Sequence, residues 1–160
     1  MEAVLKKVYE SRRTSLSLKI ISHASAIIGA FAYIAILIYS YIEDPVRALK
    51  LVVFAAVPFV AVSIMRRLIK APRPYELYDF YGVPPKNKKG QSFPSRHVFS
   101  AFVIAALSYT VSPWLAAALL ALGICLAVSR VLLGIHFIRD VVAGALIGII
   151  SGVFGIIIIL

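Results

Sequence analysis

Acidic residues are scarce in this chain: 7 Asp and Glu stand against 17 Lys and Arg over 160 residues, a formal net charge of +10. Glu76 and Asp79 stand alone in a polar stretch, so no cluster of carboxylates is available to bridge a pair of metal ions. There is one cysteine, Cys125. It rules out an internal disulfide and a thiolate metal set, and inside an apolar run it is expected to be a buried packing residue. The N-terminal stretch lacks an early apolar core followed by a small-residue cleavage site, so no cleavable signal peptide is expected. No internal repeat is visible. The cations are not strung along a soluble face with interleaved aromatics, which argues against nucleic acid as a partner.

Apolar residues, by contrast, make up 61% of the chain, and the mean hydropathy is +0.94. Such a composition implies an integral membrane protein, and the length implies one domain, 1–160. Five apolar segments approach or reach the length that crosses a hydrocarbon core of about 30 Å at about 1.5 Å per residue. They lie near Ile20 to Ile42, Pro45 to Met65, Pro94 to Val111, Pro113 to Leu133 and Phe137 to Leu160. The third is short, and Pro94 is expected near its first turn. Pro58 is expected to kink the second. The fold class is therefore all-α, a bundle of about five transmembrane helices. Ahead of it, residues 1–19 carry Lys6, Lys7, Arg12, Arg13 and Lys19 among apolar positions at helical spacing, as in an interfacial amphipathic helix or a frayed basic tail. Tyr33, Tyr39, Tyr41, Tyr75, Tyr78, Phe80 and Tyr81 fit interfacial aromatic belts, and His23 fits an interfacial position.

One long polar connection, 67–93, holds Pro72, Pro74, Gly82, Pro84, Pro85 and Gly90 with the cations Lys86, Lys88 and Lys89. Because it begins and ends beside charged islands, it is expected to be a cap over a site. With five spans, the N-terminal tail, this loop and the Gly134 corner share one membrane side. The tail cations assign that side to the cytoplasm.

Three polar islands interrupt the apolar sequence: Arg66 to Pro74, Ser92 to His97, and Ser129 to Asp140. A charge at the centre of a span costs roughly 2.5 to 3.5 kcal/mol, so Arg130, His136 and Asp140 require a function. If the chain is helical from His136, then His136 and Asp140 are i and i+4 and share a face, which would fix the ring tautomer. We read the islands as walls of one anion-binding site at a membrane face.

The order and spacing carry a resemblance. Arg66 with six residues before Arg73-Pro74, then Pro94-Ser95-Arg96-His97, then Ser129-Arg130 with five residues before His136 and three more before Asp140, resembles the three-part signature of the type 2 phosphatidic acid phosphatase (PAP2) superfamily of membrane lipid phosphatases. Arg66 stands where Lys is common, and Arg96 stands where Gly is common. The resemblance implies hydrolysis of a lipid phosphomonoester or diphosphate, phosphatidate-like or polyprenyl, through a phosphohistidine and without metal or other cofactor. It implies that His136 is the nucleophile, that Asp140 orients it, and that His97 is the general acid. Arg66, Arg73, Arg130, Ser95 and Arg96 would then bind the phosphoryl oxygens. Arg67, Lys70 and Arg139 read as interfacial anchors. A non-catalytic transporter or scramblase of anionic lipids, or a phosphotransferase built on the same phosphohistidine, stays open on these residues. Nothing in the sequence sets an oligomeric state.

Overall fold

Each hairpin of the bundle is made by a short capping sequence. The computed structural model describes residues 2–78 and 90–160. Helix α1 (Glu2–Glu10) ends at Ser11, whose side chain accepts from the Thr14 amide as N-cap of α2 (Arg12–Glu43). Asp44 then serves two helices. Its amide donates to Ser40 O, closing α2, and its carboxylate accepts from Val46 N at 2.8 Å, opening α3 (Pro45–Ile69) with Pro45 in the first turn. Ser112 and Pro113 repeat the device at the start of α6 (Pro113–Leu132).

A four-residue helix, α4 (Pro74–Leu77), precedes the undescribed residues. The chain then continues as α5 (Arg96–Leu107), extended by a single 3₁₀ turn, Ser108–Thr110, and ends with α7 (Ile138–Ile159). The third apolar segment thus becomes helical at Arg96, two residues after Pro94, with Ser95 in the N-cap position. The first span begins earlier than its apolar run, because the helix continues back through Arg12. Residues 2–10 are helical and amphipathic: Leu5 and Val8 are buried, while Lys6 and Lys7 are exposed. Pro58 lies inside α3.

The short helix α5 is the hub, touching α2, α3, α6 and α7. Its Val98, Phe99, Val103 and Leu107 are buried, whereas the long helices turn Phe31, Ile38, Val57, Val60, Ile150 and Ile157 outward. That outward apolar belt suits a lipid surround, in which close fit rather than water exclusion holds helices together. Fit is tightest between α5 and α7. A Cβ on Gly148 would lie 2.7 Å from Phe99 O, and one on Gly144 would lie 2.6 Å from Ser95 O. Only glycine allows α7 to approach so closely, and the approach brings the start of α5 against the start of α7. Cys125 is exposed rather than buried. The inward face of α6 is Leu119, Gly123, Leu126, Ala127 and Arg130, which leaves Cys125 on the outer side.

Opposite ends of the bundle are also tied. Tyr9 Oη donates to Leu133 O at 3.1 Å at one end, and Lys50 Nζ donates to Ile158 O at 3.1 Å at the other. The tail helix and the Gly134 corner therefore share an end.

Candidate active site

Helix α6 stops by the geometry of one glycine. Gly134 has φ of 64°, its amide donates to Val131 O at 3.0 Å, and the Ile135 amide donates to Arg130 O at 3.1 Å. This is the left-handed helix stop in which two carbonyls of the last turn are satisfied from beyond the helix end. The His136 amide also donates to Arg130 O, at 3.3 Å. The backbone of Arg130 thus anchors His136.

His136 is not helical. The next helix starts two residues later, at Ile138, with Phe137 as N-cap. The pairing with Asp140 forms all the same: Asp140 Oδ2 accepts from Phe137 N at 2.9 Å and lies 3.6 Å from His136 Nδ1. Both residues are buried, at 2% and 0% exposure. Between them sits Ser92, a residue for which sequence reasoning found no role. Its hydroxyl donates to Asp140 Oδ2 and lies 3.3 Å from His136 Nδ1. A hydroxyl has one proton to give, so with that proton on Asp140 the Ser92 oxygen accepts from Nδ1–H. That assigns the ring proton to Nδ1 and leaves Nε2 with its lone pair. Burial lowers the His136 pKa. The Asp140 carboxylate opposes the shift, and Arg73 and Arg66 add to it. The ring is neutral at neutral pH.

Arg66 is 4% exposed and donates through Nη1 to Ser92 O and Pro94 O, pinning the approach to α5 beneath the end of α3. The Ser92 amide in turn donates to Ala71 O at 2.9 Å, and the Gly90 amide lies 3.1 Å from each carboxylate oxygen of Glu76. These bonds join the two described ends of 67–93 and hold Arg73 and Tyr75 over the site. Asp79, Phe80, Tyr81, Gly82, Pro84, Pro85, Lys86, Lys88 and Lys89 lie outside the described residues.

A cavity of about 150 Å³ results, lined by Arg66, Arg73, Tyr75, Arg96, His97, Arg130, Ile135 and His136. Four guanidiniums and two imidazoles drawn from separate stretches meet there. The Nε atoms of Arg73 and Arg130 and the Tyr75 hydroxyl are buried without a hydrogen-bond partner. Such groups carry a desolvation cost that an anion with several acceptor oxygens would relieve. Tyr75 is therefore a wall of this cavity and not part of an interfacial belt. Ser95, expected among the anion ligands, does not line it. Its side chain is fully buried, its hydroxyl has no partner, and it makes no cap bond. The Ser95 backbone has work instead, since its amide donates to Asp140 O at 2.9 Å. Arg139 is exposed, with Nε 3.6 Å from Asp140 Oδ1, so the anchor also neutralises the outer side of that carboxylate.

The fold and this cavity define a multi-pass helical membrane protein whose buried His-Asp pair opens into an arginine-walled anion pocket. Comparison with known proteins gives the family. The model of the PAP2 superfamily matches residues 47–159, and the chain belongs to that superfamily of membrane phosphatases. The crystal structure of Aquifex aeolicus LpxE is similar at 27% identity and a TM-score of 0.73, covering 96% of this chain and 93% of that one. The crystal structure of a transmembrane PAP2 type phosphatidylglycerolphosphate phosphatase from Bacillus subtilis shares the fold. It has 20% identity and a TM-score of 0.73, with 98% and 83% covered. The bacitracin transport permease protein BcrC of Bacillus licheniformis is 29% identical over 109 residues, 65% of this chain. The match spans about half of that relative's length, 53%.

Proposed function

We propose that this protein is a metal-independent lipid phosphatase that works through a phosphohistidine on His136. The observation that carries the reading is the convergence of Arg66, Arg73, Arg130, His97 and His136 on one cavity of about 150 Å³. His136 Nε2 attacks phosphorus as the bond to the leaving oxygen breaks. The three arginines hold the equatorial oxygens, whose shared charge is the main thing a phosphoryl-transfer site must stabilise. His97 gives its proton to the leaving oxygen, then takes one from the water that attacks phosphorus as the phosphorus–nitrogen bond breaks, returning the electron pair to His136 and releasing inorganic phosphate. Asp140, bridged by Ser92, holds the imidazole and balances its positive charge. The lining of the cavity, four guanidiniums and two imidazoles, supports chemistry by those groups.

The substrate in this reading is a phosphate or diphosphate on a lipid whose chain enters between helices. Support comes from two apolar cavities beside the site, about 320 and 460 Å³, that share Ala30, Phe59, Ser100 and Ile104. Arg73 and Tyr75, on the described part of the connection that follows α3, serve as the cap. A cytoplasm-facing site is supported by the Tyr9 to Leu133 bond, which puts the basic tail at the same end as His136. A tag at Leu160 found inside the cell would overturn that orientation.

The name of the BcrC relative favours a second reading, transport of an anionic lipid. One experiment separates the two: phosphate release from purified lipid phosphates in detergent with EDTA present, with and without orthovanadate, for the native chain and His136→Ala. A phosphatase is inhibited by vanadate and loses release in His136→Ala while still binding lipid. Release that requires Mg²⁺ and ignores vanadate contradicts the mechanism. Lipid flux that survives His136→Ala supports transport.

A further inference from the structure

Arg96 and His97 are the two residues that line both the phosphoryl cavity and the apolar cavity beside it. A lipid with its terminal phosphoryl among Arg66, Arg73 and Arg130 and its chain in the groove must pass its linking atoms between them. His97 can deliver a proton there. Arg96 cannot, since a guanidinium keeps its charge. Its guanidinium carbon lies 5.8 Å from the centroid of the Phe59 ring, and Phe59 lines both apolar cavities. A half-buried cation beside aromatic and aliphatic walls calls for an anion. In a lipid monophosphate the linking atoms are a neutral ester oxygen and carbon. In a lipid diphosphate they are a second, ionised phosphoryl group.

We propose that Arg96 selects lipid diphosphates over lipid monophosphates by gripping the inner phosphate, which becomes the leaving group. The inference rests on the phosphatase reading above. In the transfer step the His136 nitrogen to outer phosphorus bond forms and the bond from outer phosphorus to bridging oxygen breaks. That oxygen and its electron pair depart with the inner phosphate as a lipid monophosphate. The growing negative charge falls beside Arg96, so the step depends less on a proton from His97 than does departure of an alkoxide. Hydrolysis of the phosphohistidine then releases inorganic phosphate.

The test is phosphate release from farnesyl diphosphate and farnesyl monophosphate, which share one chain, with dioleoyl phosphatidate as a third substrate, by the purified full chain in detergent. The quantity read is the ratio of kcat/KM on the diphosphate to that on the monophosphate. Arg96→Gln should lower this ratio by at least about tenfold, the scale of a lost charge-assisted hydrogen bond, and Arg96→Lys should restore part of it. A fall of less than about threefold, or a native chain that prefers the monophosphate or cleaves phosphatidate alone, overturns the inference and leaves the phosphatase reading standing. A native chain that releases phosphate from none of the three overturns both. If Arg96→Gln does not fold, Arg96→Lys decides alone: loss of the planar two-pronged grip should still lower the ratio several-fold, and an unchanged ratio overturns the inference.

Discussion

The amide of Ser95 donates to the carbonyl oxygen of Asp140 across 2.9 Å. This bond joins the start of α5, where His97 sits, to the first turn of α7, where Asp140 supports His136. It forms because α7 meets α5 along glycines, and Gly144, one turn beyond Asp140, faces Ser95 O. The relative placement of the two imidazoles therefore depends on a residue with no side chain.

Gly144→Val should disable the protein without touching a charged residue. The Cβ alone would lie 2.6 Å from a backbone oxygen, which has no flexible end to move aside. Overpacking of this kind costs about 1–3 kcal/mol, so the thermal transition in detergent should fall and phosphate release should fall by tenfold or more. Gly29→Ala is the control. No atom lies within 4 Å of a Cβ there, and alanine favours the helix, so its transition should stay level or rise.

Ser92→Ala should lower turnover by about ten- to a hundredfold with little change in lipid binding. The hydroxyl positions His136 and does not line the phosphoryl cavity. Removing it leaves Nδ1–H without its acceptor and the ring free to turn, a loss of about 1–3 kcal/mol. Separate kcat and KM values check this, with the fall expected in kcat.

The two neighbouring arginines at the end of α3 should behave differently. Arg66 is buried and holds Ser92 O and Pro94 O, whereas Arg67 is exposed. Arg66→Ala removes a proposed phosphoryl ligand and strands two carbonyls, so it should abolish phosphate release and lower the thermal transition. Arg66→Lys keeps the cation with fewer donors and should retain more activity than the alanine variant. Arg67→Ala should fall within about twofold of the native chain, as expected of a surface anchor.

Stability should rise with pH across the range set by His136. Its folded pKa is lowered from 6.5 to about 4, chiefly by burial. Below pH 6.5 the unfolded chain takes up a proton that the folded ring refuses. The His136 contribution to stability therefore falls as pH drops through that interval and levels off below about 4. Unfolding measured in detergent between pH 4 and 7 should show a slope in the native chain that becomes shallower in His136→Gln. For the same reason His136, the proposed nucleophile, stays unprotonated at mildly acid pH, and loss of activity near pH 6 would have to come from another group.

The sequence by itself determined the class of fold and most of the site. Apolar runs of spanning length, broken at Glu43-Asp44 and Ser112-Pro113, specify helices and hairpins because those signals are local: hydropathy, proline at the first turn, and a side chain that caps the next helix. Arg130, His136 and Asp140 stood out because charge in an apolar run is costly enough to demand a function, and His97, Arg66, Arg73 and Arg96 stood out because their order and spacing resemble the PAP2 signature. Only the tertiary structure decided where Ser92, Tyr75 and Ser95 belong. Serine and tyrosine are inexpensive almost anywhere near a membrane interface, so nothing in their neighbourhood along the chain marks them. Their roles depend on what crosses over from α3, α5 and α7. The outward turn of Cys125 was settled in the same way, by which face of α6 its partners claim. The meaning of Gly144 and Gly148 likewise lay in the backbone oxygens of Ser95 and Phe99 that they allow to come near.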